Sequence, residues 1–229
     1  MAGLLRAALA ISLLFSTSCV AFAQQEIMSR QQWRAHAAIA KRQPPIQTGR
    51  IDNTVTVAEN ALIPRQKAEY LTVHHTAVAA KPGVETAAKL RAFQQQMQNG
   101  YWIDTPSLRK HVFLGDIPYH YYISVQGDVA EGRELEFAAY SNTQYRTPIV
   151  NHITVTLEGD FQNEKPSAEQ ISSLIELLTT LAKEHSVPLN RISYHAAVAQ
   201  TDCPGRNLIQ KWPGIVEALK SNGVADASN

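Results

Sequence analysis

The chain has 229 residues, with 21 Lys plus Arg against 20 Asp plus Glu and a formal charge of +1. That balance gives no electrostatic footprint for a nucleic-acid partner, and 45% hydrophobic with 18% charged residues excludes a disordered, collagen-like or coiled-coil chain. Beyond the N-terminus no run stays apolar for the roughly 20 residues a spanning helix needs, so one globular domain with no transmembrane segment is expected.

Residues 1–23, MAGLLRAALAISLLFSTSCVAFA, carry one basic residue, Arg6, an apolar stretch from Ala7 to Phe15, and Ala21-Phe22-Ala23 ahead of Gln24. This is the layout of a secretory signal peptide with an A-x-A cleavage site, and it predicts an exported protein, periplasmic or secreted. Ser16-Thr17-Ser18 does not supply the Leu-led small-residue box of a lipoprotein ahead of Cys19, so a lipid anchor is not expected. Cleavage after Ala23 would remove Cys19 and leave Cys203 as the sole cysteine, with no intramolecular disulfide. A lone thiol in an oxidising compartment tends to pair or oxidise unless something holds it. Cys203 is then either an inert buried thiol or a functional one.

Residues 24–65, with Pro44-Pro45, Pro64 and a short apolar alternation from Ile51 to Val57, read as an extended N-terminal arm packed on the core. The domain proper is expected over 66–221, followed by a flexible tail at 222–229. Tyr70 to His75 is β-branched and aromatic, the pattern of a strand buried on both faces. Leu90, Phe93 and Met97 recur at three and four before Gly100, which predicts an amphipathic helix over 85–99. Residues 101–116 contain Pro106 and read as a long irregular loop. Tyr119 to Val125 and Val129 to Arg133 flank Gln126-Gly127-Asp128, a hairpin turned at Gly127. Ile153 to Leu157 reads as an interior strand. Ser167 and Gln170 form a capping box, and the face Ile171, Leu174, Ile175, Leu178, Leu181 predicts a helix to about Glu184. A short strand at 191–195 and a closing helix at 215–219 complete an α/β domain, a mixed central sheet flanked by helices.

Histidines 74, 75, 120 and 195 fall at predicted strand ends. Side chains alternate across a strand, so His74 and His75 point to opposite faces and only one can join a common site. His195 and Cys203 are eight residues apart, and a loop of that length can bring both to one ion. Two imidazoles and a thiolate suit Zn²⁺ with a fourth position open to water, whereas a closed structural site would need His75 or Asp202 as well. The same residues also admit a cysteine nucleophile with a histidine base, as in papain-like hydrolases, or plain packing roles.

Several ordered segments together resemble a known family. Met28-Ser-Arg-Gln-Gln-Trp33, Leu71-Thr-Val-His-His-Thr-Ala77, Asp116-Ile-Pro-Tyr-His-Tyr-Tyr-Ile123, Glu131-Gly-Arg133, Ile153 to Phe161 and the pair His195 and Cys203 are similar to motifs of the zinc-dependent N-acetylmuramoyl-L-alanine amidases of type 2. These share a phage-lysozyme-like domain with the peptidoglycan recognition proteins. The resemblance implies hydrolysis of the amide between N-acetylmuramic acid and L-alanine, with peptidoglycan or a muropeptide as partner and Zn²⁺ as cofactor. It implies His74, His195 and Cys203 as metal ligands and Tyr119 and Thr201 as catalytic residues. Relatives with Asp in place of the cysteine, and an acidic residue where this chain has Thr156, make Asp202 and Glu158 further candidates. Arg34 stands where Gly is common, Pro118 replaces a Gly, residues 103–115 resemble an insertion beside the site, and Glu134-Leu135 replaces Gly-Trp near the peptide stem. Members without the cysteine bind the wall and do not cut it, so a non-catalytic binding module is the rival reading.

Overall fold

The computed structural model describes residues 26–40, 54–56, 62–104, 109–140 and 145–227. The expected signal peptide and most of the Ile51–Val57 alternation lie outside them. In chain order the strands are β1 (Ile27–Met28), β2 (Thr54–Thr56), β3 (Tyr70–His75), β4 (Tyr101–Asp104), β5 (Arg109–Val112), β6 (Tyr121–Ile123), β7 (Val129–Glu131), β8 (His152–Leu157) and β9 (Ile192–Tyr194). The helices are α1 (Thr86–Asn99), α2 (Ala168–His185), α3 (His195–Val198), α4 (Arg206–Ile209) and α5 (Trp212–Ser221).

Six strands form a mixed sheet in the order β1-β7-β6-β8-β3-β9. β3 lies between two parallel neighbours, with His74 opposite Thr156 of β8 and Val73 opposite Tyr194 of β9. The period-2 alternation sorts the side chains by face. Leu71 and Val73 of β3 and Ile153, Val155 and Leu157 of β8 enter the main core with Leu174, Leu178 and Leu181 of α2 and Ile215 and Leu219 of α5. The alternate residues Thr72, His74, His152, Thr154 and Thr156 are also buried but polar. Buried polar groups persist where they are hydrogen-bonded: Thr72 Oγ1 meets His152 Nδ1 at 2.8 Å, and Thr154 N donates to His120 Nδ1 at 3.0 Å. β3 is thus buried on both faces as its composition predicts, with one face apolar and the other a polar network.

A second core on the polar side joins Leu90 of α1 to Trp33, Ile117, Tyr122 and Ala130. Trp33 is fully buried and its indole N–H donates to Glu131 O at 2.7 Å. The start of the arm therefore adds the edge strand β1 to the main sheet, parallel to β7. Arg34 adopts φ 60°, the left-handed region that costs an ordinary residue about 1–2 kcal/mol. A glycine would adopt that conformation without the cost.

Two expectations are corrected. Residues 101–116 are not an irregular loop: β4 and β5 pair antiparallel, and β2 pairs parallel to β5 to make a separate three-stranded sheet. The tail is packed at least to Ala225, because Val224 is buried and Leu189 N donates to Ala225 O at 2.8 Å. The capping box is present as read, with Ser167 Oγ accepting from Gln170 N at 3.0 Å and Gln170 Oε1 from Ser167 N at 3.1 Å.

Candidate metal centre and active-site groove

The C-terminal ends of β3, β8 and β9 lie side by side because the three strands are parallel, and ligands in α/β sheets bind at such ends. β3 delivers His74 there. β9 ends at Tyr194, and His195 begins the single turn α3 rather than ending the strand as expected. The chain then loops back through Cys203, whose carbonyl accepts from Ala196 N at 2.8 Å.

The result is a cluster. One ligand atom from each of His74, His195 and Cys203 lies within 4.8 Å of the other two, and among the described residues no further His, Cys, Asp or Glu joins the group. His74 Nδ1 is 3.6 Å from Cys203 Sγ. The His74 and His195 ring centroids are 4.4 Å apart. Burial holds both imidazoles below the ordinary histidine range, His195 at about 4, with other nearby histidines adding to the effect. Neutral rings present lone pairs. Burial also pushes the Cys203 thiol up to about 12, and a cation bound there would displace its proton. Two neutral imidazoles and one thiol in reach of a single point are a donor set that fits Zn²⁺ with an open fourth position.

His75 does not join the cluster. Its Nδ1 accepts from Phe161 N at 3.2 Å, and its ring packs on Phe161, on the apolar side of the sheet where strand alternation puts it. Asp202 is exposed. Glu158 lies in the groove but is fully engaged: it pairs with Lys89 Nζ at 2.8 Å and accepts from Lys81 N at 2.8 Å and Val125 N at 2.9 Å. Burial alone would raise its carboxyl, but Lys89 and the two backbone donors outweigh it and hold the group below the usual carboxylate range. It is an anchored anion rather than a proton carrier. Thr156 Oγ1 is buried on the His74 face with no hydrogen-bond partner among the described residues.

A groove of about 530 Å³ opens over the cluster and is lined by His74, His195, Cys203, Tyr119 and Thr201 at one end. Its walls are largely apolar, from Val78, Phe93, Met97, Tyr101, Leu114 and Tyr140. The β4 strand thus supplies Tyr101 to the wall, and the expected 103–115 insertion supplies Leu114. Tyr119 tilts over His74 with ring centroids 4.9 Å apart. Burial first, and the nearby Cys203 and Tyr101 next, push its hydroxyl far above the ordinary tyrosine range, so it is a neutral donor at any working pH. Thr201 Oγ1 accepts from Cys203 N at 3.3 Å, which leaves its own proton to donate. Gly132 backs this arrangement: a Cβ there would meet the Tyr119 carbonyl at 2.4 Å.

The sequence did not single out Tyr145. Its hydroxyl lies 2.6 Å from His74 Nε2, yet it stands 71 positions away in a segment without periodic pattern, where no local signal could mark it.

A mixed α/β sheet with a His-His-Cys cluster at the ends of its parallel strands, roofed by a tyrosine, defines a class, the peptidoglycan amidases and recognition proteins. Residues 64–206 match the N-acetylmuramoyl-L-alanine amidase family, and the chain belongs to it. It is 25% identical over 156 residues to the N-acetylmuramoyl-L-alanine amidase CwlH of Bacillus subtilis, spanning 67% of this chain but only 53% of that relative. To the peptidoglycan-recognition protein SD of Drosophila melanogaster it is 28% identical over 201 residues, 84% of this chain and 89% of that one. The crystal structure of Drosophila recognition protein SD has the same fold, with a TM-score of 0.57 at 21% identity over 82% of this chain and 95% of that one.

Proposed function

We propose that the protein is a zinc-dependent amidase that hydrolyses the bond between the lactyl group of N-acetylmuramic acid and L-alanine of the peptidoglycan stem. The observation that carries this reading is the convergence of His74, His195 and Cys203 within 4.8 Å at the end of an open groove. His74, His195 and Cys203 would hold the ion. Zn²⁺ in such a site lowers the pKa of bound water toward 7 and polarises a carbonyl.

The rest follows from the chain's own groups. Hydrolysis of an amide places negative charge on the former carbonyl oxygen, and preorganised neutral donors facing that oxygen stabilise the transition state more than the ground state. Tyr119 is such a donor, kept protonated by burial, and Thr201 is a second. The apolar walls exclude water from the bound substrate and so strengthen these hydrogen bonds. Glu158, ion-paired to Lys89, fixes the groove floor.

The metal reading uses all three converging side chains as donors, whereas a cysteine nucleophile needs only one histidine as its base. The layout of residues 1–23 supports export to the compartment that contains the polymer.

Metal content and turnover on one preparation test the reading. The expected result is one zinc per chain, loss of activity on strong chelation, recovery on adding zinc, and a free L-alanine amino terminus appearing on a muropeptide. Activity that survives chelation but not thiol alkylation would establish the nucleophile instead. Tight peptidoglycan binding without any cleavage by the zinc-loaded protein would establish a binding module.

A further inference from the structure

Besides Tyr119, a second tyrosine contacts the cluster, and it does not line the groove. The segment at Tyr145 runs antiparallel to the loop that joins His195 to Cys203: Tyr145 bridges Ala199, and Arg146 N donates to Val198 O at 2.7 Å. From that anchorage the buried Tyr145 side chain reaches both histidines. Its ring lies 4.9 Å from the His195 ring, and its hydroxyl is 2.6 Å from His74 Nε2. A second set of contacts fixes the ring from behind. Tyr145 stands edge-on to His152 at 4.8 Å, and His152 is held at both nitrogens by hydroxyls, Thr72 Oγ1 and Thr147 Oγ1, each at 2.8 Å.

An imidazole that ligates through one nitrogen has its tautomer and ring plane set by the hydrogen bond at the other. His74 turns Nδ1 toward Cys203 Sγ and Nε2 toward Tyr145. If the Nε2–H donates to the tyrosine hydroxyl, the lone pair on Nδ1 faces the thiol and His195. We propose that Tyr145 is a positioning residue of the metal centre, fixing His74 in the Nε2–H tautomer with Nδ1 presented to the ion and tying that ring to the loop that carries the other two ligands. This rests on the metal reading above. Tyr145 does not line the groove, so it acts through His74 and not on substrate. Burial keeps its hydroxyl neutral, which orients the ligand without adding charge to the site.

Two measurements on the mature protein test this. In metal-free wild type labelled with ¹⁵N at histidine, long-range ¹⁵N–¹H spectra should show His74 protonated at Nε2, and Tyr145→Phe should lose that preference. In a chelator competition, Tyr145→Phe should bind zinc 10- to 100-fold more weakly, the range for losing such an outer partner. The phenyl ring retains its packing, so the melting temperature of the metal-free variant and KM for muropeptide should stay at wild-type values. A wild-type spectrum with His74 protonated at Nδ1 overturns the proposal, as does unchanged zinc affinity in the variant. A wild type that takes up no zinc sinks the metal reading instead, and the metal-free tautomer still decides whether Tyr145 holds His74.

Discussion

Adjacent residues of one type can have unrelated roles when a strand sends them to opposite faces, and His74 and His75 show this. His74 lies 3.6 Å from the Cys203 thiol, while His75 accepts from the Phe161 backbone. His74→Ala should therefore lose bound zinc and turnover. His75→Ala should keep the metal and lose about 1–3 kcal/mol of stability through an unpaired backbone donor and lost packing on Phe161. Zinc content and denaturant midpoints of the two variants check this; equal loss of zinc in both would contradict the assignment. Tyr119→Phe keeps the ring and removes only the donor. Losing one such donor typically lowers kcat by roughly 10² to 10³, with zinc content and muropeptide affinity nearly unchanged. A variant with wild-type kcat would shift the role to Thr201.

At the level of elements, Gly132 couples the β6–β7 hairpin to the site. Its Cα packs against the Tyr119 carbonyl so closely that any side chain must push that strand end away. Gly132→Ala is expected to lower kcat while leaving zinc content intact, because Tyr119 moves and the ligands on β3 and the 195–203 loop do not. Zinc loss in step with activity would show that the disturbance is general.

The elements that sequence reveals are those whose signal is local. The 3.6-residue periodicity and capping box of α2 and the β-branched runs of β3 and β8 all lie within one segment. β4 and β5 escape such a reading because a short pair with a proline in its connection resembles a surface loop until the partner strands are known. β1 is two residues long, too short for any periodicity. The clustering of His74, His195 and Cys203 was legible only through the combination of strand alternation, His-Cys spacing and family motifs, whereas Tyr145 and the Lys89–Glu158 pair depend on contacts between distant segments.

For the molecule as a whole, the polar face of the sheet makes stability depend on pH. Burial lowers His120 to about 3 and His152 to about 4, from an ordinary 6.5. Between pH 6.5 and those values the unfolded chain binds protons that the folded chain refuses. Stability is thus fully present above about pH 6.5 and declines steadily as the pH falls toward 4. Urea midpoints measured from pH 7.5 to 4.5 should decrease throughout the lower part of that range, and His152→Asn should shallow the slope. A flat profile would mean that these imidazoles are not held neutral by the fold.

Two members of the cluster also span most of the domain: His74 and Cys203 are 129 positions apart. An ion held by both is a cross-link closing a very long loop, but the sheet has already closed it, since Leu71 pairs with Ile192 and Val73 with Tyr194. Long loops are slow to close, so an ion whose donors meet only once that pairing has formed would bind after the rate-limiting step. Zinc should then leave the refolding rate unchanged and slow unfolding, the signature of a contact absent from the transition state. The chain would fold first and load a metal second, with its lifetime among proteases lengthened by the loading.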